Sequence, residues 1–202
     1  MTTTATPRQT RPRTREGGSG KRLLPWIGAG FPVLLIVVAI GATAVGADDD
    51  DAVGEPAPAY ELATTHAETA TLDDALADGP ALLYFSMGPG CDGCFVQIPE
   101  IADEVADRDL ELVSIMPGQP QAVASEARRL GAADHPILLD TDIAVSDAYD
   151  MLGHYGHTNV PGHSFALVTA DGEVAWVEHY AEMFVPAEEF LPTLDDALAA
   201  LD

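Results

Sequence analysis

Two cysteines, Cys91 and Cys94, are the only ones in the 202-residue chain, and they stand two residues apart directly after an apolar run. Ala81 to Phe85 (ALLYF) has the continuous hydrophobicity of a strand buried on both faces. Ser86-Met-Gly-Pro-Gly then reads as a tight turn. Beyond the cysteines, Ile98, Ile101, Ala102, Val105 and Ala106 recur at helical spacing, with Pro99 placed to kink the helix. Strand, turn, C-x-x-C and helix in this order admit few folds. The arrangement sets a sulfur at the positive end of a helix dipole, where amide N–H groups favour a thiolate.

The remaining segments extend the pattern. Leu72–Ala77 reads as a short helix, Leu110–Met116 as a second buried strand, and Gln121–Leu130 as a helix stopped by Gly131. His135–Asp140 and Ile143–Leu152 read as a short strand and a short helix. Ser164–Val168, the Asp171-Gly172 turn and the alternating Glu173–His179 predict a hairpin. Pro186 is placed to open a final helix with Phe190, Leu191, Leu194, Leu198 and Leu201 on one stripe. The sum predicts an α/β domain whose mixed central sheet is flanked by helices.

Ahead of the domain the chain changes character twice. Residues 1–22 hold six of the nine basic residues in a Thr/Pro/Gly-rich stretch that cannot bury a core and predicts a disordered cytoplasmic tail. Residues 23–47 carry no charge and are long enough for one transmembrane helix, with Trp26 near one interface. Basic residues before it and Asp48–Asp51 after it predict a single-pass cell-membrane protein with its domain extracytoplasmic. Val45-Gly46-Ala47 also suits a cleaved signal segment. Both readings export the domain. Residues 48–59 read as an acidic linker and 60–202 as the folded domain. All of the 33 Asp and Glu except Glu16 lie from Asp48 onward, balanced only by Arg108, Arg128 and Arg129. Such a surface excludes nucleic acid and anionic lipid as partners and keeps the domain soluble.

Several chemistries suit the cysteine pair. A structural disulfide across two intervening residues closes a very short loop and staples little. A zinc site needs more ligands than two cysteines, and no second C-x-x-C exists. Copper or zinc completed by histidine stays open, since His154, His157, His163 and His179 are gathered in one stretch. Redox exchange, with Cys91 as nucleophile and Cys94 as resolving thiol, fits the strand-to-helix position best.

At ALLYF, Cys91-Asp-Gly-Cys94, Pro99-Glu-Ile101 and the Asp171-Gly172 hairpin, the chain resembles the thioredoxin superfamily. Within it the likeness is to the membrane-tethered TlpA-like and redoxin (AhpC/TSA-like) thiol-disulfide oxidoreductases, over roughly residues 60–201. The resemblance implies a thioredoxin-like fold and an antioxidant-type redox activity carried by a reversible Cys91–Cys94 disulfide, with no other cofactor and no metal. It implies protein thiol or disulfide substrates, a membrane electron-donor protein and a monomer. It also implies a substrate-facing loop holding Val160, Pro161 and His163. The family places a cis-proline opposite the cysteines. Pro161 is the obvious match, yet ungapped counting back from Asp171-Gly172 puts His163 in that slot.

Three departures temper the expectation. Gly90 replaces the aromatic usual before the first cysteine, and Met87 replaces a second. Asp92 places a carboxylate beside Cys91, with no Lys or Arg near in sequence, which predicts a thiol close to the free value of about 8.5 and a reducing or mildly exchanging pair. The Pro-x-x-x-Thr-x-x-Cys pattern of peroxide-reducing relatives is absent, Gly88 and Tyr84 standing at those positions. Glu100 is the carboxylate positioned to assist the resolving thiol or, more simply, to face solvent. The residues Tyr180, Met183, Phe184 and Val185 are placed to cap the site or to pack in the core. The reading is an exported, membrane-anchored thiol-disulfide oxidoreductase. A peroxiredoxin-like peroxide reductase and a copper-binding chaperone using Cys91, Cys94 and His163 are the alternatives.

Overall fold

In the computed structural model, which describes residues 52–201, the chain opens with a small hairpin, β1 (Glu61–Ala63) against β2 (Thr69–Thr71). Helix α1 (Leu72–Ala75) follows at once because Thr71 and Asp74 form a reciprocal capping box, each side chain bonding the other's backbone N–H. Then come β3 (Ala81–Phe85), α2 (Asp92–Ala106), β4 (Glu111–Met116), α3 (Pro120–Leu130) and β5 (Ile137–Leu139). The chain finishes with α4 (Ala144–Ala148), a 3₁₀ turn at His154–Gly156, β6 (His163–Val168), β7 (Val174–Tyr180) and α5 (Ala187–Ala199).

The main sheet runs β5-β4-β3-β6-β7, so the ALLYF strand is its centre, and all five of its residues are buried. β3 pairs in parallel with β4 and antiparallel with β6, and β7 returns antiparallel along β6. This is the mixed sheet the sequence pattern predicts. The alternation of β3 sorts its side chains between two cores. Leu82 and Tyr84 pack with Phe95, Ile98 and Ile101 of α2, Val123 and Ala127 of α3, and Phe190 and Leu194 of α5. Leu83 and Phe85 pack on the other face with Tyr60, Leu72, Tyr149 and Val168. Phe165 of β6 stacks on Tyr84 at 4.8 Å and meets Phe190 at 4.4 Å, tying the sheet centre to α5.

Several boundaries differ from the sequence expectation for physical reasons. The helix expected over Ile143–Leu152 is the shorter α4: buried Asp140 accepts the backbone N–H groups of Val145 and Ser146 and fixes its first turn, while Asp150, at φ +57°, takes the chain out of the helix after Ala148. The flexible linker expected over 48–59 ends earlier. Gly54 and Ala57 donate backbone hydrogen bonds to Val174 and Gly172 of the hairpin, and Val174 donates to Glu55. Composition does not register such pairing, because it involves the backbone alone. Among the described residues no helix is long and apolar enough to cross a membrane. The expected tail, the expected transmembrane span and the start of the expected linker, residues 1–51, lie outside the described residues.

Replacing Phe165 by Ala removes a ring in contact with Tyr84 and Phe190, and an expected loss of about 3–5 kcal/mol in urea unfolding follows. A loss below about 1 kcal/mol would show that β6 and α5 are not coupled through this ring.

Candidate active site

The cysteine turn is built to a narrow tolerance. The Cys91 N–H donates to the Gly88 carbonyl at 3.1 Å, closing the four-residue turn Gly88-Pro89-Gly90-Cys91. Pro89 sits at its second position and Gly90, at φ +104°, at its third, the combination a type II turn requires. The absent aromatic at Gly90 is thus a requirement of the turn. Gly88, also at positive φ, is excluded from carrying a side chain because a Cβ there would stand 2.4 Å from the Pro117 carbonyl oxygen.

Cys91 is the N-cap of α2, and its Sγ accepts the Cys94 N–H at 3.2 Å. The two sulfurs are joined as a disulfide with Cα atoms 5.4 Å apart. Cys94 is fully buried and the small remaining exposure, 5 %, belongs to Cys91. That asymmetry matches a nucleophile nearer the surface and a resolving thiol behind it. Once reduced, Cys91 lies where the Cys94 N–H and the positive end of the 15-residue helix both stabilise a thiolate.

The cysteine loop is packed from outside as well. A Cβ on Gly93 would lie 2.5 Å from the Met183 carbonyl oxygen, so the strand-to-helix segment before α5 rests directly on the backbone between the cysteines. Gln97 holds it there: Nε2 donates to the Val185 carbonyl at 3.0 Å, and the Val185 N–H donates to Oε1 at 2.7 Å. Gln97 was not singled out by its sequence. Its signal was an amide at i+3 from Cys94 on the buried stripe that continues to Ile101. Glu100, the carboxylate weighed instead, is exposed.

Behind the disulfide lies a buried polar chain. The Tyr84 hydroxyl is 3.1 Å from the Cys94 carbonyl oxygen and 3.1 Å from His163 Nδ1. A carbonyl only accepts, so Tyr84 donates to Cys94, and the hydrogen-bond chain assigns the proton between tyrosine and imidazole to His163 Nδ1. His163 is the first residue of β6 and fully buried, with Pro161 and Gly162 buried before it and Val160 partly exposed. Of the loop residues singled out, His163 is the one joined to the cysteine helix. Burial lowers its pKa from 6.5 to about 4, which keeps the imidazole neutral, and burial likewise raises that of Tyr84.

Asp92 is not the uncompensated carboxylate its sequence surroundings suggested. Arg129, in the last turn of α3, bridges it with Nη2 at 2.5 Å and Nη1 at 3.2 Å, and also binds Glu126. The Arg129 hydrogen bond holds Asp92 below the usual carboxylate range. Both partners are exposed, so the pair adds little stability, but it neutralises the charge beside Cys91. Packing of α3 on α2 brings the partners together across 37 residues.

Two of the other histidines, His154 and His179, are engaged with each other and with partners of their own. His154 stacks on His179 at 3.5 Å and bonds the Asp150 carbonyl, while His179 Nδ1 bonds Ser164 Oγ at 2.7 Å. Among the described residues no three His, Cys, Asp or Glu side chains are grouped to hold a metal ion.

The buried imidazole makes stability depend on pH. The unfolded chain returns His163 to about 6.5 and so binds a proton that the folded chain refuses down to about 4. Stability from the neutral imidazole is complete above 6.5 and is lost as pH falls toward 4. Urea unfolding at pH 7.5 and pH 4.5 is expected to show roughly 2–3 kcal/mol more acid loss in wild type than in His163→Phe. Equal losses would mean that the imidazole is solvated.

A sequence profile of the AhpC/TSA family matches residues 53–177. Thiol-disulfide oxidoreductase ResA of Bacillus subtilis (strain 168) is 24% identical over 165 residues, covering 77% of this chain and 91% of that protein. In three dimensions the chain is similar to peroxidoxin BcpB from Mycobacterium tuberculosis, with a TM-score of 0.57 and 24% identity over 74% of this chain and 95% of that one. AhpC from Mycobacterium tuberculosis is similar with a TM-score of 0.60 and 18% identity, over 73% and 93% of the two chains. At these identities the structural likenesses establish the thioredoxin-like fold. With its profile met across more than half the sequence, the chain belongs to the AhpC/TSA family of thioredoxin-fold proteins.

Proposed function

We propose that the protein is a thiol-disulfide oxidoreductase that passes two electrons through Cys91 and Cys94. The observation that carries the reading is the position of the disulfide. It joins the N-cap of α2 to a residue one turn inside the helix, with the small residual exposure on the N-cap cysteine. A bridge spanning three positions constrains the unfolded chain little, so its worth lies in being broken and re-formed. In the reduced protein, the Cys91 thiolate attacks a substrate disulfide, releases one substrate thiolate and forms a mixed disulfide. The Cys94 thiolate then attacks Cys91 Sγ. The second substrate thiolate leaves, and the Cys91–Cys94 bond takes up the oxidation.

The substrates in this reading are disulfides of proteins, since the cysteine that keeps some exposure lies at a helix end, where a docking partner reaches it. The likeness to ResA supports the same chemistry. Residues 23–47 anchor the domain outside the cell membrane, and a membrane thiol protein returns the dithiol to its reduced state. Family membership also supports a second reading, in which Cys91 reduces peroxide through a sulfenic acid that Cys94 resolves.

Single substitutions separate the two. Cys94→Ser is expected to accumulate mixed disulfides with protein substrates and Cys91→Ser to accumulate none, while both lose at least tenfold in insulin disulfide reduction (about 1.4 kcal/mol or more). Peroxide consumption by wild type without any trapped partner in Cys94→Ser would replace the first reading by the second.

A further inference from the structure

We propose that His163 Nε2 accepts a hydrogen bond from the Cys94 thiol in the reduced protein and thereby sets the redox poise of the pair. The inference rests on the oxidoreductase reading and adds to it a residue that acts on the resolving cysteine.

Two observations lead there. The first is the direction of the buried chain: Tyr84 donates to the Cys94 carbonyl, and His163 Nδ1–H donates to Tyr84, each across 3.1 Å. The proton on Nδ1 leaves Nε2 with a bare lone pair. The second is that Nε2 is fully buried and has no hydrogen-bond partner among the described residues. The rings of Tyr84, Phe165 and Tyr180 surround the imidazole, and none of them donates to Nε2. Burial keeps the ring neutral, so Nε2 stays an acceptor. An unpaired acceptor in such a place is costly and calls for a donor.

Reduction supplies one. When a thiol reductant cleaves the Cys91–Cys94 bond, two electrons and two protons enter the pair, one proton for each sulfur. Cys94 is the cysteine without access to water, and its own carbonyl already belongs to the chain that ends at Nε2. Its new S–H is a donor within the buried cluster that Cys94 shares with Tyr84 and Phe165. His163 Nε2 is therefore unsatisfied while the bond is intact and gains a donor when it opens. A contact present only in the dithiol stabilises the dithiol, which raises the reduction potential of the pair.

The test equilibrates wild type, His163→Phe and Tyr84→Phe with glutathione redox buffers and counts thiols by alkylation. His163→Phe is expected to shift the equilibrium toward the disulfide about tenfold, about 30 mV for a two-electron couple. Tyr84→Phe, which frees the tautomer without removing the imidazole, is expected to shift it less. An NMR measurement on wild type keeps the idea testable where a variant unfolds: the ¹⁵N resonance of Nε2 is expected to move upfield on reduction. A reducible pair whose potential changes less than twofold in His163→Phe, or an Nε2 resonance unmoved by reduction, overturns this inference alone. A wild-type pair that thiol buffers fail to reduce overturns the oxidoreductase reading and this inference with it.

Discussion

The hydrogen bond from the Tyr84 hydroxyl to the Cys94 carbonyl joins the centre of the sheet to the first turn of α2, and the geometry of the site depends on it. Tyr84 can reach because β3 is buried on both faces and its alternation turns Leu82 and Tyr84 toward the cysteine helix. On the far side, His163 completes the chain from the first position of β6, so three elements meet at one hydroxyl. A buried phenol would be costly without such partners, and here both lone pair and proton are used. The polar chain thus positions a cysteine that has no exposure of its own.

Charge is organised around the same helix. The described domain is strongly acidic, yet two of its three arginines pin α2 to its neighbours. Arg108, one turn beyond Glu104, reaches Asp195 of α5, and Arg129 of α3 reaches Asp92 beside Cys91. These are exposed pairs of modest energy. Their interest is placement, because in a domain with so few cations one of them cancels the carboxylate nearest to Cys91.

What the sequence made legible was local. The ALLYF strand, the Gly/Pro turn, the stop of α3 at Gly131 and the hairpin at Asp171-Gly172 each follow from residue chemistry over a few positions, and each lies where it was expected. Counting from the hairpin also brought His163 into view. What it hid was long-range. Arg129 and Asp92 meet only after two helices pack, and β1 and β2 are too short and polar to show a period. The docking of Gly54–Ala57 on the hairpin uses backbone groups that every residue carries. Gln97 stood in plain view on a buried stripe, but an amide there has no meaning until Val185 is known to lie across it.

The central claim is that the Cys91–Cys94 bond is a working redox couple and not a staple. Its most direct test is thiol counting by mass on the folded, native protein across a series of glutathione ratios. The account predicts that both thiols appear together in one two-electron transition while far-UV circular dichroism and the unfolding midpoint of the domain change little. A pair that stays oxidised until the protein is denatured, or whose reduction unfolds the domain, would contradict it.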